Sequence, residues 1–116
     1  MQVLLILNDP PYGTERSYNG LRLATSLAKR EGESVRVFLM GDAAGCAKSG
    51  QKVPAGYYNV EAMLKVLWGH HAPVGVCGTC MDARGIKESE LVPGTHKSSM
   101  DELAAWTVEA DKLLVF

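Results

Sequence analysis

The sequence has no long apolar run, no excess of charge of either sign and few cysteines. Each shortage excludes something. The opening apolar segment, Val3-Leu4-Leu5-Ile6-Leu7, is far shorter than the roughly 20 residues that a membrane-spanning helix needs. It carries no basic lead of the kind that begins a signal peptide, and Asn8-Asp9-Pro10-Pro11 stops it at once. Lys and Arg number 12 against 13 Asp and Glu, a net charge of −1. Such a balance offers neither the basic surface that nucleic acid attracts nor a polybasic patch for an anionic membrane. The expectation is therefore a cytoplasmic protein with no nucleic-acid and no membrane partner. In that reducing compartment its three cysteines, Cys46, Cys77 and Cys80, point to metal or redox chemistry before a disulfide framework.

Internal repeats, low-complexity tracts and interdomain linkers are also missing. The 116 residues read as one domain over 1–116, long enough to bury a core unaided. A content of 47% hydrophobic and 22% charged residues is that of a globular chain.

What is present is an alternation of strands and helices. Val3 to Leu7 is an uninterrupted aliphatic run, which suits a strand covered on both faces of a parallel sheet. Thr14 is placed to cap a helix in which Tyr18, Leu21, Ala24, Leu27 and Ala28 recur at helical spacing, with Gly32 closing it. Val35 to Met40 is a second strand, ended by Gly41-Asp42, with Asp42 able to cap a short helix through Ala47. Residues 48–58 read as an irregular excursion. A helix then follows Asn59, with Val60, Met63, Leu64 and Leu67 on one face. Pro73 to Cys77 is a third strand, and a short strand is expected near His96 to Ser98. Ser99 and Glu102 form a capping box before a helix bearing Leu103 and Trp106. Leu113 to Phe116 is the last strand. The pattern predicts an α/β fold, a three-layer α/β/α domain with a mostly parallel sheet of about five strands.

In such sheets ligands bind beyond the carboxyl ends of the strands. That rule gathers three loops on one edge: Asn8 to Gly13, Gly41 to Cys46, and Cys77 to Gly85. Two of them carry all three cysteines. Cys77-Gly78-Thr79-Cys80 is a CxxC with three readings. It can be a reactive thiol, since a turn of backbone N–H groups and a nearby cation such as Arg84 favour the thiolate. It can be half of a zinc site, but one CxxC supplies two of the four ligands, and His70-His71 fall at the other end of the strand. It can also be a packed turn of small apolar residues. A thioredoxin-type arrangement does not fit, because that motif follows an early strand. Gly41-Asp42-Ala43-Ala44-Gly45 matches neither GxGxxG nor GxxxxGK[ST], and a tight turn accounts for its glycines. Asp9 and Asp42 lie at strand ends, where they cap turns or polarise a thiol or substrate. Tyr57, Tyr58, Met63 and Trp68 read as core or subunit contacts, and His96 as a solvated side chain in a polar loop.

The chain resembles the DsrE/DsrF-like (YchN-like) sulfur-relay family over nearly its whole length. The likeness rests on the strand ending Asn8-Asp9-Pro10, on Met40-Gly41-Asp42-Ala43, and on Gly50 through Asn59. It continues through Val76-Cys77-Gly78-Thr79-Cys80-Met81-Asp82-Ala83-Arg84-Gly85, its most specific piece, to Ala110-Asp111-Lys112-Leu113-Leu114-Val115-Phe116. The resemblance implies a DsrEFH-like fold, a homotrimer or homohexamer, and a sulfurtransferase or sulfur carrier that passes sulfane sulfur as a cysteine persulfide between donor and acceptor proteins. It places the sulfur on Cys77, which stands ahead of Arg84-Gly85 as the carrier cysteine does in the relay members. Cys80 and Arg84 then assist, and Asn8, Asp9, Asp42 and Cys46 line the substrate side. No cofactor and no metal are expected. The other function class is a non-catalytic oligomeric module that binds a metal or senses redox state through Cys77 and Cys80.

Overall fold

Five parallel strands, in the order β4-β3-β2-β1-β5, form the sheet. They are β1 (Gln2–Leu7), β2 (Ser34–Leu39), β3 (Val74–Cys77), β4 (Thr95–Ser98) and β5 (Lys112–Val115). The structure, a computed structural model, describes residues 1–116. The helices are α1 (Arg16–Ala28), α2 (Val60–Gly69), α3 (Gly78–Ala83) and α4 (Met100–Glu109), with a 3₁₀ helix over Gly41–Ala47. The three-layer α/β/α architecture and the parallel sheet predicted from the sequence are both present, and Val3 to Leu7 lies inside the sheet.

Alternation along each strand divides the core into two. Val3, Leu5 and Leu7 of β1, with Val35, Val37 and Leu39 of β2, join Leu21 and Ala24 of α1 and Leu64 and Leu67 of α2 in a cluster of 21 buried residues. Leu4 and Phe38 point the other way and meet Leu103 and Trp106 of α4 in a cluster of five that includes Cys77. One face of the sheet is thus deeply covered and the other rests on a single helix.

Local choices agree with this plan in most places. Asn59 caps α2, its side chain accepting the Ala62 N–H at 3.0 Å, and residues 48–58 contain no helix. Other places depart from the sequence reading. Thr14 does not cap α1; its hydroxyl donates to Asp9 Oδ2 at 2.8 Å, and the helix starts at Arg16 with no side-chain cap. Asp42 lies within the 3₁₀ helix rather than at its cap, because extended Met40 precedes the turn and Arg84 takes the Asp42 carboxylate. Ser99 accepts the Glu102 N–H at 3.3 Å, but the Glu102 carboxylate turns to Ser98 and His96 instead of closing the box. His96 is accordingly no solvated loop residue. It sits on β4, bonded to Glu102 and edge-on to Trp106 at 6.0 Å. β5 is an edge strand with all four residues exposed, unlike the doubly covered β1.

Leu5 is fully buried in the larger cluster. Leu5→Ala is expected to lower unfolding free energy by about 2–5 kcal/mol, as buried leucine truncations do, read from the denaturant midpoint.

Candidate functional site

β3 runs directly into α3, so Cys77 is both the last strand residue and the cap of the helix. Its Sγ accepts the Cys80 N–H at 3.3 Å and lies 3.4 Å from the Thr79 hydroxyl. One turn on, Cys80 returns its sulfur to the same place, and the two are joined as a disulfide with Cα atoms 5.2 Å apart. The bridge closes a separation of only three residues, so it constrains the unfolded chain little. It is better placed to open and close than to staple the fold.

Cys80 packs against both hydrophobic clusters, and its Sγ accepts the Gly41 N–H at 3.2 Å. Gly41 has φ +58°, left-handed backbone that glycine enters without strain, and this bend aims the N–H across from β2. Arg84 closes the arrangement. Its Nη2 donates to Asp42 Oδ1 at 2.6 Å and its Nη1 to the Cys80 carbonyl at 3.0 Å. The guanidinium therefore ties the end of α3 to the 3₁₀ helix, and its charge is met by Asp42. The hydrogen-bond donors nearest Cys77 Sγ are the Cys80 N–H and the Thr79 hydroxyl.

The remaining predicted residues form a separate brace. Asn8 Nδ2 donates to the Phe116 carbonyl at 3.1 Å, fastening the end of β1 to the end of the chain. The Asp9 carbonyl accepts Ser17 Oγ at 2.6 Å and the Cys46 thiol at 3.8 Å. Cys46 is fully buried in the larger cluster, on the face of the sheet opposite Cys77. Burial pushes its pKa up from 9.0 to about 12, against a Ser17 hydrogen bond that pulls it down. Of the seven residues singled out, Cys77, Cys80, Arg84 and Asp42 come together, while Asn8, Asp9 and Cys46 hold the neighbouring loops.

Cys77 opens on a cleft of about 310 Å³ between α3, β4 and the start of α4. Thr79, Asp82, Lys97, Ser98 and Met100 help to line it, and none of these was read from the sequence as a site residue. Thr79 was visible inside the CxxC. Lys97 and Ser98 required knowledge that β4 pairs with β3, which sets Ser98 opposite Cys77. Gly78 makes the close approach feasible: a Cβ there would lie 2.8 Å from the Ser98 carbonyl oxygen and 3.1 Å from Lys97 Cε. Beneath the cleft, Ser98 Oγ donates to Glu102 Oε1 at 2.6 Å, and His96 bonds the same oxygen. Burial opposes the Glu102 charge, yet the hydrogen bonds from Ser98 and His96 and the charges of His96 and Arg36 hold its pKa below the ordinary value. His70 and His71 line a different cleft with Gln2 and Ser34, at the amino ends of the strands. No group of three or more His, Cys, Asp and Glu side chains is placed to hold a metal ion.

A small parallel α/β domain with a disulfide-joined cysteine pair at the carboxyl edge of its third strand is the class that this geometry defines. The chain belongs to the DsrE/DsrF-like family, whose model matches residues 1–116. It is 41% identical to Protein YchN of Escherichia coli strain K12 over 116 residues, 99% of this chain and 98% of that one. The protein MJ0989 of Methanocaldococcus jannaschii is 37% identical over 116 residues, all of both chains. The crystal structure of the E. coli ychN protein matches the fold with a TM-score of 0.91 at 42% identity over the whole of both chains. The protein of unknown function MTH1491 from Methanobacterium thermoautotrophicum shares the fold alone, with a TM-score of 0.75 at 13% identity over 99% of this chain and 98% of that one.

The buried Cys46 thiol is expected to resist alkylation at pH 8 in the reduced native protein while Cys77 and Cys80 react, as peptide masses would show. Its raised pKa also fixes a sign. The unfolded chain ionises first, so this burial stabilises fully below pH 9.0, and the contribution is lost as pH rises to about 12.

Proposed function

We propose that the protein is a sulfur-relay protein that accepts sulfane sulfur as a persulfide on Cys77 and passes it on. The observation that carries this reading is the placement of Cys77: at the carboxyl end of β3, facing a cleft, with the sulfur of Cys80 in bonding reach. Membership of the DsrE/DsrF-like family supports it.

The chemistry follows from thiol–disulfide exchange. The Cys77 thiolate attacks the outer sulfur of a donor persulfide, R–S–SH. The donor S–S bond breaks, R–S⁻ departs, and Cys77 holds –S–SH. An acceptor thiolate then takes the outer sulfur. When the Cys80 thiolate attacks the inner sulfur instead, the Cys77–Cys80 disulfide forms and HS⁻ leaves. Two equivalents of a low-molecular-weight thiol, of the kind a cytoplasmic setting provides, reduce that disulfide and are themselves oxidised. The Cys80 N–H and the Thr79 hydroxyl stabilise the Cys77 thiolate, and the Gly41 N–H stabilises that of Cys80. Arg84, anchored by Asp42, positions the Cys80 turn, and the Asn8, Asp9 and Cys46 brace shapes the loops beside it.

The joined cysteines also favour a second reading, a redox sensor that carries no sulfur. Intact mass separates the two. After exposure to a sulfane-sulfur donor, wild type should gain one sulfur atom and then release sulfide as the disulfide forms. Cys80→Ser should hold the added sulfur, and Cys77→Ser should gain none. A Cys77→Ser protein that gains one sulfur at the wild-type rate overturns the assignment. A wild-type protein that cycles its disulfide without gaining sulfur supports the sensor.

The assembly proposed is a homo-oligomer, a trimer or a pair of trimers. The unpaired outer edge of β5, with Val115 63% exposed, and the exposed Trp68 and Tyr57 supply apolar contact surface. Sedimentation at micromolar concentration should give a species larger than a dimer, and a monomer would exclude it.

A further inference from the structure

Beside Cys77, the cleft contains one cation and one anion in contact. Lys97 Nζ donates to Asp82 Oδ1 at 3.0 Å, and both side chains line the cleft with Cys77. Lys97 comes from β4 and Asp82 from the far side of α3. The Lys97 stem crosses the bare Cα of Gly78, which leads its ammonium over the first turn after Cys77. The ion pair of Arg84 with Asp42, at the same end of the sheet, lies outside the cleft, and its guanidinium also holds the Cys80 carbonyl.

We infer that this cleft selects the sulfur donor, and that the donor is an amino-acid-sized zwitterion: a persulfide bearing both an α-carboxylate and an α-ammonium, of the cysteine persulfide class. The inference rests on the persulfide reading of Cys77 and names the substrate for it. The donor carboxylate takes Lys97, its ammonium takes Asp82, and its short side chain directs the outer sulfur to Cys77. The exchange is electrostatically matched, because each partner of the Lys97–Asp82 pair receives a charge of the same sign as the one it gives up. The Asp82 side chain is 65% exposed and that of Lys97 34%, so water screens their pair and opening it costs little. While the pair is closed, Asp82 raises the Lys97 pKa, first through its hydrogen bond and then through its charge. At about 310 Å³ the cleft lies at the small end of ligand sites, which run from about 300 to 1,000 Å³. Phe38 and Met100 give it an apolar wall against which the donor methylene can rest. Sulfur transfer within it balances as above: the donor S–S bond is exchanged for one to Cys77, and the aminothiol departs as its thiolate.

The test compares single-turnover loading of reduced protein, read by intact mass, from four donors. These are cysteine persulfide, its N-acetyl derivative, its methyl ester, and the N-acetyl methyl ester that bears neither charge. The variants are Lys97→Met and Asp82→Asn. Wild type should load from cysteine persulfide at least about tenfold faster than from the doubly blocked donor, the effect of one charge-assisted hydrogen bond. Lys97→Met should slow the N-acetyl donor, which keeps its carboxylate, far more than the methyl ester. Asp82→Asn should slow the methyl ester, which keeps its ammonium, far more than the N-acetyl donor. Equal wild-type rates with all four donors, or variants that slow every donor alike, overturn the inference while leaving persulfide formation on Cys77 intact. Loading from none of the donors, with sulfur also refused from inorganic polysulfide, overturns the persulfide reading itself.

Discussion

Parallel pairing of β1, β2 and β3 is the constraint from which the site follows. Strands that all run the same way send all their carboxyl ends to one edge, so segments distant in sequence must meet there. Gly41 at the end of β2 and Cys80 after β3 are 39 residues apart, yet a hydrogen bond of 3.2 Å joins them. The same pairing covers β1 on both faces, which is why Val3 to Leu7 is aliphatic without interruption. Chemistry is then confined to the positions where strands end, and Cys77 holds such a position.

The aliphatic runs and the spacing of Leu21, Ala24, Leu64 and Leu67 made the layers legible, because burial on a face leaves a period in the sequence. β4 was legible only as a short expectation, since Thr95-His96-Lys97-Ser98 has no apolar face of its own and is held by pairing with β3. The dithiol stood out as a motif. Its surroundings did not, because hydrogen bonds leave no periodic trace. Thr14 and Asp42 were read as caps from local preference, but each found a stronger partner across a loop: Asp9 for the first and Arg84 for the second. His96 looked isolated because Glu102 and Trp106, its partners, lie on the following helix. Arg84 was assigned to the site by its distance from Cys77 along the chain. In space its charge meets Asp42 and the carbonyl of Cys80.

The three cysteines have separate physical fates. Cys46 is enclosed in the larger core and stays a thiol. Cys77 is nearly enclosed too, but at a strand end and beside a cleft. Cys80 touches both cores and bonds to the β2 loop through Gly41. Identical side chains therefore differ in access and partners because the sheet puts one on its opposite face and two at its rim.

The thinness of the α4 layer has a consequence for access. Only Leu103 and Trp106 of α4 are buried, whereas α1 and α2 share a cluster of 21 buried residues. Local opening follows the weakest packing, so α4 can lift away at lower cost than global unfolding. Cys77 is 8% exposed when α4 is seated and belongs to the cluster that this helix covers. The sulfur thus lies under the thinner of the two layers, apart from the larger cluster that holds most of the buried core.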